Sequence, residues 1–179
     1  MKRATLAAYL LAMTSFSCGH LVYAQPPSAT GGPILNQEQR DDIAIRVRAG
    51  DSCAECDLFQ IDLAYQAIAG RDFSGSRIRQ SNFTVATADR ANFRGANLSL
   101  ANLFGMRAGH ADFTDANLEG ATLVGGYFGY ARFGGAVLTG ANLSGAEFTG
   151  ATGLTQEQLN TACGDATTTL PARMTIPRC

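Results

Sequence analysis

Residues 91–103 read Ala91-Asn92-Phe93-Arg94-Gly95-Ala96-Asn97-Leu98-Ser99-Leu100-Ala101-Asn102-Leu103, so that a small residue, an asparagine and a large apolar residue return every five positions. A spacing of five matches neither the period of about 3.6 of a helix nor the period of about 2 of a flat strand. The chain must therefore turn a corner every five residues. Working outward, an apolar centre recurs without insertion or deletion at Leu58, Leu63, Ile68, Phe73, Ile78, Phe83, Ala88, Phe93, Leu98, Leu103, Ala108, Phe113, Leu118, Leu123, Phe128, Phe133, Leu138, Leu143 and Phe148. These are nineteen units in one register, and they predict an all-β solenoid.

Two residues before each centre from Phe83 onward the side chain is small apart from Met106, and from Ala86 to Ala146 it is alanine except at Met106 and Gly126. Glycine often ends a unit, as at Gly95, Gly120 and Gly140, which suits tight corners. The repeat resembles the pentapeptide-repeat family, whose consensus is Ala-(Asp/Asn)-Leu-x-x, over residues 56–150. That resemblance implies a right-handed quadrilateral β-helix: four units make a square coil of twenty residues, with the centre and the small residue pointing inward.

Steps of twenty then sort the centres into four columns. Phe73, Phe93, Phe113 and Phe133 form one core column; two others are Leu or Ile apart from Phe83; the last runs Ile68, Ala88, Ala108, Phe128, Phe148. In Met106-Arg107-Ala108 the large residue has moved to the small position, which roughly conserves volume. Ala86-Thr87-Ala88 has no such exchange, and a narrowing or small void is expected there.

Raw strand edges at the two ends of a solenoid invite aggregation unless covered, so short helical caps are expected at both. At the first, Asn36 and Gln39 have capping-box spacing and Ile43, Ala44 and Val47 form an apolar stripe. At the second, Thr155 and Gln158 repeat the box, Leu154 and Leu159 stand at staple positions, and a helix is expected from Gln156 to Ala162. The chain divides into a signal peptide (1–24), a Pro- and Gly-rich disordered leader (25–35), an N-terminal helical cap (36–55), the repeat (56–150) and a C-terminal helix with a disulfide-closed tail (151–179).

The signal reading rests on Lys2 and Arg3, the apolar run from Leu6, and Val22-Tyr23-Ala24 as a cleavage site. A membrane anchor would need about 20 unbroken apolar residues, and Thr14, Ser15, Ser17, Gly19 and His20 interrupt this run. Cys18 as a lipid-acceptor cysteine is poorly preceded by Ser15 and Phe16. Cleavage would leave no lysine and 12 arginines against 15 carboxylates, a formal charge of −3. No cluster of cations suits a phosphate backbone, so nucleic-acid binding is not expected. A periplasmic or secreted location and no stable membrane span after cleavage are.

The four cysteines that remain after cleavage, an even set in an exported chain, predict disulfides, paired Cys53 with Cys56 and Cys163 with Cys179. Other readings of Cys53-Ala54-Glu55-Cys56 each lack a part. A haem site needs His where Asp57 stands, a thioredoxin pair needs a βαβ unit, and zinc needs two further ligands nearby. Whether this pair is structural or redox-active stays open. No catalytic residues, cofactor or metal site are expected: His110 sits at a corner, and Asp112, Asp115 and Glu119 read as a solvated face.

What remains is a surface. Stacking by twenty gathers Phe104, Arg107, His110, Val124, Tyr127 and Tyr130 about one corner, an aromatic and arginine-bearing patch of the kind interfaces use. The leading functional expectation is a non-enzymatic exported scaffold or protein-interaction module with an unidentified protein partner, homodimerisation remaining open. Two alternatives stand beside it. The family resemblance implies that a DNA-mimic role on DNA gyrase is one, although 8 acids against 7 arginines in the repeat are a poor imitation of DNA. Thiol redox chemistry at Cys53 and Cys56 is the other.

Overall fold

The computed structural model describes residues 35–179, so the signal peptide and all but the last residue of the leader lie outside the described residues. Parallel bridges join residues twenty apart in an unbroken series from Asp57 with Arg77 to Arg132 with Thr152. One coil therefore takes twenty residues and carries four bridged positions. Among the described residues these are isolated bridges rather than extended strands. The reason is the corner: it follows so soon that each side offers a single residue for pairing.

The hydrogen bonds of one unit explain its sequence. Asn92 N donates to Arg71 O at 2.8 Å in the coil below, while Phe93 N and Gly95 N donate to Asp112 O and Thr114 O at 2.7 and 2.9 Å in the coil above. Ala96 N closes the corner on Phe93 O at 3.0 Å. The remaining amide, Arg94 N, reaches no carbonyl and donates instead to the Asn92 side-chain oxygen at 3.1 Å. All five donors are thus satisfied, which is why Asn or Asp precedes so many centres. The same bond recurs from Ser74 N to Asp72, Phe104 N to Asn102 and Ser144 N to Asn142, at 2.9 to 3.0 Å.

At every corner from residue 55 to 150 the last residue of the unit has positive φ, whether or not it is glycine. Val85, at φ 55, is a β-branched side chain in a region that costs L-residues about 1–2 kcal/mol. Val85→Gly is therefore expected to raise stability by about 0.5–1 kcal/mol after the greater chain entropy of glycine is subtracted. Urea denaturation checks it, and an unchanged or lower midpoint would mean that the corner is unstrained.

Inside the coil Phe73, Phe93, Phe113 and Phe133 are fully buried and stack face to face, with successive centroids 5.4, 5.1 and 5.0 Å apart. Ala88 is fully buried, and Phe83 and Phe93, on the sides flanking it, meet edge to face at 6.0 Å. Gly126 gives its space to Phe128, whose ring would lie 2.5 Å from a Cβ there.

Helix α1 (Gln37–Ala49) has the capping box of Asn36 and Gln39 and buries Ala44 and Val47 against the first coil, with Ile43 packed on its margin. Arg48 donates to Asp62 O and Arg71 to Val47 O, so arginines tie cap to coil. Coil pairing begins before residue 56, since Cys53 N donates to Asp72 O at 2.7 Å. Cys53 thus stands at the foot of the phenylalanine column.

Pairing also passes the expected end at 150: Asn142 bridges Cys163 and Glu147 bridges Thr169, offsets of 21 and 22. Helix α2 (Gln156–Asn160) is shorter than the expected span to Ala162. The chain must already be extended at Cys163, whose N–H donates to Ala141 O at 2.9 Å. Its staple pair, Leu154 and Leu159, is buried, and Gln158 Nε2 donates to Phe133 O and Ala136 O at 2.9 and 2.7 Å, covering the last carbonyls of the coil.

Candidate functional site

The column of bridged positions Ala67, Thr87, Arg107, Tyr127 and Glu147 is the only one of the four with no Asn or Asp, and its inward centres are those that vary between alanine and phenylalanine. One side of the coil departs from the repeat both inside and out. Arg107 and Tyr127 bridge to each other in the middle of this side. The six patch residues do not share one corner as expected; Phe104 and Val124 stand at the corner before this side, and His110 and Tyr130 at the corner after it. Five residues to a unit make those corners successive.

Tyr127 is 37% exposed, and its ring lies across Gly109 and Gly129, where added Cβ atoms would stand 3.0 and 2.4 Å from ring or hydroxyl atoms. Neither glycine has positive φ, so their lack of a side chain serves the tyrosine rather than the turn. Tyr130, 54% exposed, stacks on His110 with centroids 5.0 Å apart, and Gly150 leaves room above it. Arg107 is held by Asp89 at 2.7 Å, and the other Asp89 oxygen accepts from Gly109 N at 2.9 Å, the bond that an Asn at position 107 would have made. The aromatic groups are seated and pre-organised.

The remaining candidates have structural partners. Cys53 pairs with Cys56, Cα atoms 5.5 Å apart, and Cys163 with Cys179 at 4.8 Å. Cys53 and Cys56 occupy the centre and the next small inward position of the repeat register, and Ser76 Oγ donates to Cys53 O. Asp112 accepts from Thr114 and pairs with Arg132 at 2.7 Å. Burial pushes its carboxyl up, but the Thr114 hydroxyl and amide and the Arg132 guanidinium outweigh it and hold the group below its ordinary range. Asp115 pairs with Arg94 at 3.3 Å. Among the described residues there is no cluster that could hold a metal, and no helix is long and apolar enough to cross a membrane.

The family profile described as Pentapeptide repeats matches in 8 copies over residues 72–105 and 111–152. A pentapeptide repeat protein of the Arabidopsis thaliana thylakoid lumen is 30% identical, covers 68% of this chain and 91% of its own, and superposes with a TM-score of 0.59. The chain belongs to the pentapeptide-repeat family. Other solved members are more distant. The plasmid-mediated fluoroquinolone resistance protein QnrB1 is 20% identical over 60% of this chain and 68% of its own, TM-score 0.32. A pentapeptide repeat protein of the cyanobacterium Cyanothece 51142 is 22% identical over 76% and 100%, TM-score 0.31. No curated protein matches the chain.

In this pentapeptide-repeat protein the patch is larger than its sequence suggests. Tyr65, 74% exposed, and Val85 stand on the same corner as Phe104 and Val124, two coils and one coil before Phe104, making an apolar ridge along the axis. Sequence reasoning missed them because steps of twenty place them in line with Gly105 and Gly125 rather than with Phe104 and Val124. The signal that could have found them is the corner itself, where both positions face outward.

Proposed function

We propose that this pentapeptide-repeat protein is an exported, non-enzymatic interaction module whose Tyr127 side takes a partner protein. The observation that carries this is the ring of Tyr127 laid over two glycines that the backbone does not require. A large, rigid, half-exposed aromatic group with Tyr130, His110 and the Phe104 ridge about it has the make-up of an interface centre, where tyrosine and arginine anchors dominate binding. Family membership supports a right-handed four-sided β-helix for residues 56–150, framed by a cap at 36–55 and a tail at 151–179. The lumenal location of the Arabidopsis relative and the two disulfides favour export with removal of residues 1–24. No cofactor enters this reading.

The DNA-mimic role receives little support, because Asp57, Asp89, Asp112 and Asp115 are each paired with an arginine and leave no anionic column among them. Thiol redox chemistry at Cys53 and Cys56 is disfavoured by their inward positions in the first coil, where Cys53 is buried.

Replacing Tyr127 and Tyr130 together by serine is expected to cost about 1–2 kcal/mol of folding stability, most of it at Tyr127, whose ring is 37% exposed over the two glycines while Tyr130 is 54% exposed. Capture of a crosslinked partner from periplasmic extract should fall at least tenfold, as anchors of this type carry about 2 kcal/mol or more each. Equal capture by both proteins overturns the interface. Fractionation of cells expressing the chain from Met1 tests export, and recovery only from cytoplasm overturns it.

A further inference from the structure

The two disulfides stand in opposite settings. Cys53 is buried in the first coil, whereas Cys179 is exposed at the end of the chain and Cys163 is half-buried. Cys53 and Cys56 close a loop of two residues within one corner; Cys163 and Cys179 are 16 apart and close a long loop.

Little else holds the last ten residues of that loop. Among the described residues, the backbone bonds from residues 170–179 to the rest of the molecule are Gly164 N to Pro177 O at 2.8 Å, Cys179 N to Gly164 O at 3.0 Å, and the Thr175 amide and carbonyl to the side chain of Gln156. Leu170, Met174 and Ile176 are only partly buried against the core. The coil beneath is self-sufficient, with Leu143 N and Phe148 N already bonded to Cys163 O and Thr169 O at 2.7 and 2.8 Å.

We infer that the Cys163–Cys179 bridge is a redox latch: a dithiol protein of the thioredoxin type opens it and frees residues 170–179 while the repeat stays folded. The thiolate of the reductant attacks Sγ of Cys179, the more exposed sulfur, forming a mixed disulfide as the bond to Cys163 breaks. Cys163 leaves as a thiolate and takes up a proton. The second thiolate of the reductant then attacks the mixed disulfide and releases Cys179, so that two electrons pass to this chain and the reductant is left as its own disulfide. Opening removes the level formed by Gly164 and Arg178, leaving an unpaired strand edge and three apolar side chains at one end of the rod. This site is independent of the Tyr127 side and does not rest on the proposed partner.

The test is a dithiothreitol titration of the chain from Gln25, trapped with iodoacetamide and mapped by mass, beside hydrogen exchange. Cys163 and Cys179 are expected to become alkylated at a reductant concentration at least tenfold below that needed for Cys53 and Cys56. Exchange over residues 170–179 should then quicken on the order of 100-fold, the loop-closure contribution of a loop this long, with residues 58–150 unchanged. Cys163→Ser/Cys179→Ser should show the same exchange without reductant, and reduced thioredoxin should reproduce the order of reduction. Simultaneous reduction of both pairs, an unchanged tail after reduction, loss of protection throughout the repeat, or failure of thioredoxin to reduce the Cys163–Cys179 pair would each overturn the latch.

Discussion

Replacing Phe113 by alanine is expected to cost about 3–5 kcal/mol. Its ring is fully buried between Phe93 and Phe133, with centroids 5.1 and 5.0 Å away, and meets Phe128 edge to face at 5.9 Å. Backbone bonds to the coils above and below fix their spacing, so the space left cannot close by collapse, and the cavity term adds to the lost transfer energy. Guanidinium denaturation followed by far-ultraviolet circular dichroism measures it. A loss below about 1 kcal/mol would place Phe113 outside the column.

Gly153→Ala is expected to cost roughly 2–4 kcal/mol, for two separate reasons. Gly153 follows Phe133 by twenty residues and stands where the phenylalanine column would continue, but there the chain leaves the coil with φ 77. An added Cβ would lie 2.5 Å from Gly134 N and 2.8 Å from its Cα, and these are backbone atoms that cannot rotate away. By contrast Gly140→Ala, at φ 68 with nothing nearer than 4.0 Å, carries the conformational cost alone. A Gly153→Ala loss no greater than that of Gly140→Ala, measured in the same denaturant, would mean that the close approach is absent.

Much of this was legible because the repeat admits no insertion from Leu58 to Phe148: the period gave the coil, steps of twenty gave the phenylalanine column, and two capping boxes marked α1 and the start of α2. Three matters were not legible, each for a physical reason. The positive φ of Val85 or Tyr130 leaves no mark on residue identity, since the neighbouring bonds impose it. The pairing of Cys163 and Thr169 breaks the period by one and two residues, so a search for fives stops at 150. The edge-to-face meeting of Phe83 and Phe93 beside Ala88 reaches across a corner, which a column-by-column reading separates. At the candidate surface the patch could be assembled by counting, but the seat of Tyr127 on Gly109 and Gly129 required coordinates.

The unbroken twenty-residue offset of the bridges has a further consequence for how such a protein can change length. Gain or loss of five residues inside the rod would rotate every later unit by a quarter turn, carrying Phe133 beneath a different side and scattering Tyr127 from Arg107. Gain or loss of twenty would add or remove one storey and leave each side facing as before. The remainder of a residue's number on division by twenty therefore serves as its compass bearing, and only whole storeys can be edited without turning the building.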